Sequence, residues 1–293
     1  MTQTITLDDG AARVVVRADL GAGLARYELR DGTPLFRPAP ENATDPFVLA
    51  NILLLPWSNR IGAGGFAFEG EHYALARNVA GEASPLHGSG FQQAWQVTHA
   101  SATRAELELE CDVPAPFRYT ARASYQLADG ALTVTLAVAN AAARALPYGL
   151  GVHPWLPRTR HTTLLLPASA AWLEDDAHLP TARVPIAARP DWDFSAQRPL
   201  PAGWINNAFV GWPGHASIVW PERDLALDIA AGPNLSTCIV FSPGQDSDFV
   251  CVEPVTHLPN AHNLPGGPEA NGLTVLLTDE ELAVACRFSP RRL

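Results

Sequence analysis

Two histidines, an arginine and a glutamate stand out because each sits in a short polar segment beside apolar sequence. Pro56-Trp-Ser-Asn59-Arg60-Ile61 closes the apolar run 52–55, and Pro85-Leu86-His87-Gly88 puts a histidine before a glycine-containing loop. Tyr148-Gly-Leu-Gly-Val-His153-Pro154-Trp155 sets a second histidine beside two aromatics, and Phe249-Val-Cys-Val252-Glu253-Pro254 ends an apolar run in a carboxylate. Imidazole, with an ordinary pKa near 6.5, gives and recovers a proton close to neutrality. A carboxylate ending a buried strand must find partners, or its pKa rises. Such a set suits proton transfer on a polar ligand. Singly, each residue has a plainer reading. A histidine near aromatics is more often a hydrogen-bonded core or rim residue, and an Arg or Glu at a strand end is usually a solvated charge.

Other motifs carry less. Gly62-Ala-Gly64-Gly65-Phe-Ala67 fits G-x-G-x-x-A, but it runs into Phe66-Ala-Phe68-Glu-Gly70, a strand and turn. A dinucleotide site needs a helix there, so a hairpin is expected instead. His257 and His262 lie near Glu253, yet Pro254 and Pro259 exclude a regular helix and the spacing fits no common zinc motif. No metal site is expected. Gly88-Ser89-Gly90 lacks the G-x-S-x-G nucleophile elbow.

The elements that must position these residues have a period of two. Leu107, Leu109 and Cys111 alternate with Glu106, Glu108 and Glu110. Tyr119, Ala121, Ala123, Tyr125 and Leu127 alternate with polar partners, and Asp129-Gly130 leads into Leu132, Val134, Leu136 and Val138. Two alternating runs joined through Asp-Gly predict a hairpin. Leu282, Val284, Cys286 and Phe288 alternate again near the C-terminus. No capped segment shows helical periodicity, and the 22 glycines and 26 prolines are spread as turn punctuation. The stretch 180–201, with five prolines, reads as a long surface excursion. The expectation is one all-β domain over residues 1–293, a large antiparallel β-sandwich.

Of the 293 residues 47% are hydrophobic and 17% charged, which supplies a sizeable core. The net charge of −10, with no basic run, argues against nucleic acid and anionic membranes as partners. Cys111, Cys238, Cys251 and Cys286 form no C-x-x-C pair and fit a reducing compartment. Neither a signal peptide nor an apolar run of the roughly 20 residues needed to span a bilayer is visible, so a cytoplasmic monomer or homodimer is expected.

Together, the four segments resemble the aldose 1-epimerases (galactose mutarotases). The matching residues are Asn59-Arg60-Ile61, Gly65-Phe66, Phe68-x-Gly70, Tyr73-x-Leu75, Asn78, Leu86-His87-Gly88 and Trp95, then His153-Pro154-Trp155, then Glu253-Pro254 with Asn260 and Asn263. They follow in order over roughly residues 50–290. The resemblance implies a galactose mutarotase-like β-sandwich with a sugar cleft, an aldose as small-molecule partner and no cofactor. It implies Glu253 as the base on the C1 hydroxyl and His153 as the acid on the ring oxygen. His87 and Arg60 would hold sugar oxygens, and Trp155, or less strongly Trp57, would wall the pyranose face. One position departs: Asn206 stands where the family usually has an aspartate before a phenylalanine, here Phe209. That change bears on which sugar is preferred.

Three other readings remain at the sequence level. A glycoside hydrolase would need a second carboxylate acting with Glu253. A non-catalytic sugar-binding protein of the same fold would not need both His153 and Glu253. A phosphosugar epimerase would gather cationic residues, and beyond Arg60 no cluster is evident.

Overall fold

Residues 3–293 are described by the computed structural model. Alternation of buried and exposed side chains drives the chain into two large antiparallel sheets. The first has ten strands, in the spatial order Thr4–Asp8, Ala12–Arg17, Gly23–Leu29, Asn51–Leu54, Gly151–Pro157, Phe249–Val255, Thr237–Ser242, Ile205–Val210, Ala170–Glu174 and Pro180–Pro185. The second has nine strands, and its middle is formed by Leu225–Ala231, Glu281–Arg292, Ala131–Asn140, Tyr119–Ala128 and Arg104–Cys111. Among the described residues, helical structure is confined to short 3₁₀ turns.

The patterned segments behave as their periodicity predicts. Leu107, Leu109 and Cys111 are buried while Glu108 and Glu110 face solvent. The hairpin between Tyr119–Ala128 and Ala131–Asn140 closes with Ala128 opposite Ala131. Its two loop residues, Asp129 (φ 53°) and Gly130 (φ 77°), both adopt the left-handed conformation that a tight hairpin turn requires. The glycine-rich 62–67 segment likewise forms a hairpin, with Gly65–Phe68 paired to Glu71–Ala74.

The stretch 180–201 is more structured than its prolines suggest. Pro180–Pro185 is the edge strand of the ten-stranded sheet and Arg198–Pro199 the edge of the nine-stranded one. Between them Ile186, Trp192 and Phe194 are buried in the core. Proline is tolerated at sheet edges because one side of an edge strand needs no N–H donor. The stretch therefore straps the two sheets together at one margin, with apolar side chains anchoring it.

Between the sheets lies one large apolar core that includes Trp57, Tyr27, Tyr125, Trp220 and Phe209. Trp220 is fully buried, and its indole donates to the Pro157 carbonyl at 2.7 Å. A second apolar cluster, with Ile52, Leu54, Phe91, Trp155, Ala208, Ile239 and Cys251, covers the opposite face of the ten-stranded sheet. The central strands thus bury both faces, and the second cluster is the floor on which the site is laid.

Candidate active site

Strand register decides which polar residues meet. Gly151 pairs with Val255 and Trp155 with Cys251, so His153, midway between, falls opposite Glu253. His153 also pairs with Ile52, and Glu253 with Ile239, which itself pairs with Ala208. Directly opposed side chains of an antiparallel pair start only about 4.5–5.5 Å apart at Cβ. His153 Nε2 and Glu253 Oε1 accordingly approach to 3.3 Å. One register step along, Trp155 lies beside Cys251, Cys251 beside Phe241, and Phe241 beside Asn206.

His153, Trp155, Asn206, Phe241 and Glu253 line a cleft of about 270 Å³ together with Phe47, Asn59, Arg60, Glu82, Leu86, His87, His178 and Trp204. It contains Arg60, His87, His153, Trp155, Asn206 and Glu253, all six residues singled out in the sequence. Trp57 is not there. It is 1% exposed and turns inward against Phe117 and His262, so it serves the core and cannot touch a ligand. Trp155 faces the cleft but is 4% exposed, and its ring lies parallel to His153 with centroids 4.0 Å apart. That stacking backs the histidine and takes one of the ring faces expected to wall a sugar.

His87 and Arg60 come from loops that clamp each other. Asn59 (φ 58°) and His87 (φ 60°) both have left-handed backbones, which persist in ordinary residues only when the surroundings impose them. Here the His87 N–H donates to the Asn59 carbonyl at 2.9 Å, and the Asn59 N–H donates to His87 Nδ1 at 3.0 Å. The second bond fixes the proton of neutral His87 on Nε2. Next in the chain, Gly88 (φ 69°) passes so close to Leu55 that any Cβ would lie 2.1 Å from its carbonyl oxygen. Asn78 staples the same loop by donating to the carbonyls of Leu86 and Gly88 and accepting from the Leu86 N–H. Asn260 and Asn263 do the corresponding work for the arginine loop through Gly62 and Gly65. These asparagines are scaffold residues.

Arg60 is already engaged. Its Nε and Nη2 donate to the two oxygens of Glu82 at 2.9 and 3.0 Å. A bidentate pair of this kind fixes the guanidinium plane and leaves its remaining N–H groups for a ligand. His257 and His262 are also accounted for. His257 Nε2 accepts from the Ser58 N–H at 3.0 Å while Nδ1 donates to the Leu258 carbonyl at 2.8 Å, and His262 Nε2 donates to the Pro147 carbonyl at 3.2 Å. Burial pushes their pKa values down, to about 4 for His257 and about 3 for His262. His257 thereby pins the loop that carries Asn59 and Arg60, and His262 ties the Leu146–Tyr148 strand.

The electrostatics of the opposed pair are set by dryness. His153 and Glu253 are 5% and 2% exposed. Burial lowers the His153 pKa to about 3, with the nearby Arg37 charge adding to it. Burial raises the Glu253 carboxyl well above its usual range, and Arg60 offsets this in part. His87 falls well below its usual value, first from burial and then from the facing His153. Both members of the pair thus resist charge. His153 Nδ1 and Glu253 Oε2 are buried without a hydrogen-bond partner among the described residues. Unpaired buried polar atoms are costly, and a polar ligand in the cleft would relieve them.

Three donor types meet where His153, Glu253 and Cys251 place ligand atoms within 4.8 Å of one another. The set fits a metal poorly. The Cys251 thiol is fully buried in the cleft floor, and burial pushes its pKa well up, so it stays a neutral thiol and not the thiolate that binds zinc.

The sequence reading missed four residues. Glu82 orients Arg60, Trp204 offers a half-exposed ring at the cleft wall, and His178 stacks on Trp204 with centroids 5.4 Å apart. Glu174 accepts from Trp204, Asn206 and His178. Glu174 ends the apolar run of the Ala170–Glu174 strand, so the reasoning applied to Glu253 could have flagged it; the other three carry no signal of their own.

A two-sheet antiparallel sandwich with its polar cleft on the far face of one sheet defines the galactose mutarotase-like class. A galactose mutarotase-like protein from Clostridium acetobutylicum superimposes with a TM-score of 0.87 over 100% of this chain and 96% of its own, at 16% identity. A protein of Escherichia coli K12 provisionally called an aldose 1-epimerase superimposes with a TM-score of 0.92 over the whole of both chains, at 29% identity. The uncharacterized protein YphB of Escherichia coli K12 is 33% identical over 270 residues, covering 89% of this chain and 91% of its own. The sequence pattern described as aldose 1-epimerase spans residues 3–289, and the chain belongs to that family.

Proposed function

We propose that the protein is an aldose 1-epimerase that interconverts the α and β anomers of a free aldose in the cytoplasm, as one domain and without a cofactor. The observation that carries this reading is the opposed pair. A histidine nitrogen and a carboxylate oxygen sit 3.3 Å apart at the floor of a sugar-sized cleft, each residue with a second polar atom lacking a partner.

Anomerisation needs the C1 hydroxyl to lose a proton and the ring oxygen, bound to the same carbon, to gain one. Glu253 takes the first proton and His153 supplies the second, so the C1–ring-oxygen bond breaks with no net proton exchanged. The aldehyde turns about its C1–C2 bond, and the reverse transfers close the ring on the other face. The pair holds one proton throughout. Ring opening begins from carboxylate and imidazolium and ends at carboxylic acid and neutral imidazole. That end state is the one burial favours, so the dry floor of the cleft stabilises the opened form. His87 Nε2–H and the free N–H groups of Arg60 supply directed donors for ring hydroxyls.

The chemistry of the other polar groups weighs against the alternatives. Glu82 is held by the Arg60 guanidinium and Glu174 by three donors, so neither is poised to protonate a glycosidic oxygen as a hydrolase would need. Arg60 is the one guanidinium lining the cleft among the described residues, and Glu82 and Glu253 beside it disfavour a phosphorylated sugar. The test is polarimetry on freshly dissolved α-aldoses with and without the protein. Faster decay to the equilibrium rotation supports the proposal. Tight sugar binding with no acceleration would make the protein a carbohydrate binder instead.

A further inference from the structure

On the wall formed by the Ala170–Glu174 and Ile205–Val210 strands, one carboxylate organises three ligand-facing groups. Glu174 Oε2 accepts from Asn206 Nδ2 at 2.8 Å and meets His178 Nδ1 at 3.0 Å, while Oε1 accepts from Trp204 Nε1 at 2.8 Å. Asn206, His178 and Trp204 all line the cleft, whereas Glu174 itself lies behind that lining. A carboxylate can only accept, so the Asn206 amide must turn its NH₂ toward Glu174. Its Oδ1 then points away from Glu174, and no hydrogen bond among the described residues reaches it. The same carboxylate satisfies the indole N–H of Trp204, which is 48% exposed and backed by His178.

From this arrangement we infer that Glu174 and Asn206 form the sugar-selecting element of the site, with Glu174 as a positioning residue. Glu174 locks Asn206 so that a neutral carbonyl oxygen, and not an amide donor or a charge, meets one ring hydroxyl of the aldose. Through Trp204 it holds an aromatic face beside that hydroxyl. The negative charge sits one strand back from the ligand, where it directs the acceptor without contacting the sugar. A neutral acceptor at a fixed point discriminates between aldoses that differ in the direction of a single hydroxyl, because the wrong epimer leaves Oδ1 unpaired. The inference rests on an aldose occupying this cleft, and the experiment separates the two claims.

The test compares Glu174→Gln, Asn206→Asp and the double variant on epimeric aldose pairs, glucose with galactose and glucose with mannose. Turnover is followed by polarimetry and equilibrium binding by tryptophan fluorescence. Asn206→Asp brings a second carboxylate to within hydrogen-bond distance of the first. Binding should weaken about tenfold or more near neutrality and recover as the pH falls and the two share a proton. Glu174→Gln should raise KM about tenfold while kcat moves by less than about threefold, because the amide no longer fixes both Trp204 and Asn206. The double variant rebuilds an amide–carboxylate pair with the charge now facing the sugar. It should bind better than Asn206→Asp alone and show an altered preference within at least one epimeric pair. Simple additivity of the two single losses, or the wild-type preference in all three variants, would overturn the inference. Should Glu174→Gln not fold, Asn206→Ala replaces it; that variant removes the acceptor and should flatten the preference, and an unchanged preference counts against the inference. A wild-type protein that binds aldoses selectively but does not anomerise them would sink the epimerase reading alone.

Discussion

Replacing Glu253 with glutamine separates catalysis from stability in a way that few substitutions in this protein can. Glutamine keeps the shape of the side chain and can still face His153 Nε2, which lies 3.3 Å from Oε1 in the native protein. What it cannot do is accept the proton of the C1 hydroxyl. Loss of a general base costs about 10²–10⁴-fold in rate, or about 3–5 kcal/mol of barrier, and most of it should appear in kcat. The fold should not suffer. Burial holds the Glu253 carboxyl well above its ordinary 4.5, so its charged form is the one the native state resists. A group with a raised folded pKa stabilises the native state below its unfolded pKa and loses that contribution as pH rises through the folded value. Glutamine has no such dependence, so the melting temperature of Glu253→Gln relative to wild type should climb as pH goes from about 5 to 8. Polarimetry, fluorescence titration with sugar and thermal melts across that range measure the three quantities. The expected result is a protein that binds aldoses, melts no lower than wild type at neutral pH, and turns over at no more than about one per cent of its rate. Near-normal turnover in the folded variant would refute the base assignment. A lower melting temperature at pH 8 would refute the argument that burial opposes the charge.

Further outcomes follow from neighbouring groups. His153→Ala should also lose about 10²–10⁴-fold in kcat, and adding it to Glu253→Gln should cost little more, because either loss already interrupts the paired transfer; steady-state polarimetry of the double variant checks this. Arg60→Ala should raise KM about tenfold or more with a smaller change in kcat, and Glu82→Gln should do the same more weakly, because Glu82 fixes the guanidinium plane. His257 resists protonation until about pH 4 in the native protein but takes a proton near 6.5 when unfolded, so its contribution is complete above pH 6.5 and is lost as pH falls toward 4. That loss is about 3 kcal/mol, and denaturant melts should show a shallower acid dependence in His257→Gln. Prolonged treatment with a chelator should leave anomerisation unchanged, since the Cys251 thiol is held neutral in the floor; stoichiometric zinc whose removal abolishes activity would contradict this.

What could be read from the sequence was whatever has a local period or a local motif. The Asp129-Gly130 hairpin and the alternation through Leu107, Leu109 and Cys111 are set by neighbours in the chain, and both appear where the pattern places them. The pairing of His153 with Glu253 is a different kind of fact. The two residues become partners only through strand register in the middle of a ten-stranded sheet, and family resemblance, not spacing, named them together. Trp57 was misread because an aromatic beside a polar patch looks the same whether it faces a ligand or turns into the core. Glu82 and Trp204 lie in loop sequence with no period, so their arrival at the cleft depends entirely on where the loops fold back. The stretch 180–201 was underestimated because its prolines mask the burial of Ile186, Trp192 and Phe194.

The position of the pair within the sheet has a bearing on how the protein loses activity. His153 and Glu253 sit on the fifth and sixth of ten strands, each hydrogen-bonded on both sides and covered by apolar clusters on both faces. Backbone amides in such a place exchange with solvent only when the whole sheet opens, whereas those near Glu82 and Trp204 exchange through local fluctuation. Proton transfer is thus housed in a slow-exchanging part of the molecule, whereas Glu82 and Trp204, which set the Arg60 guanidinium and the aromatic wall, hang on loop backbone. Mild heating or denaturant should first weaken the grip on the sugar at those loops, and the reaction itself should persist until the protein melts as a unit.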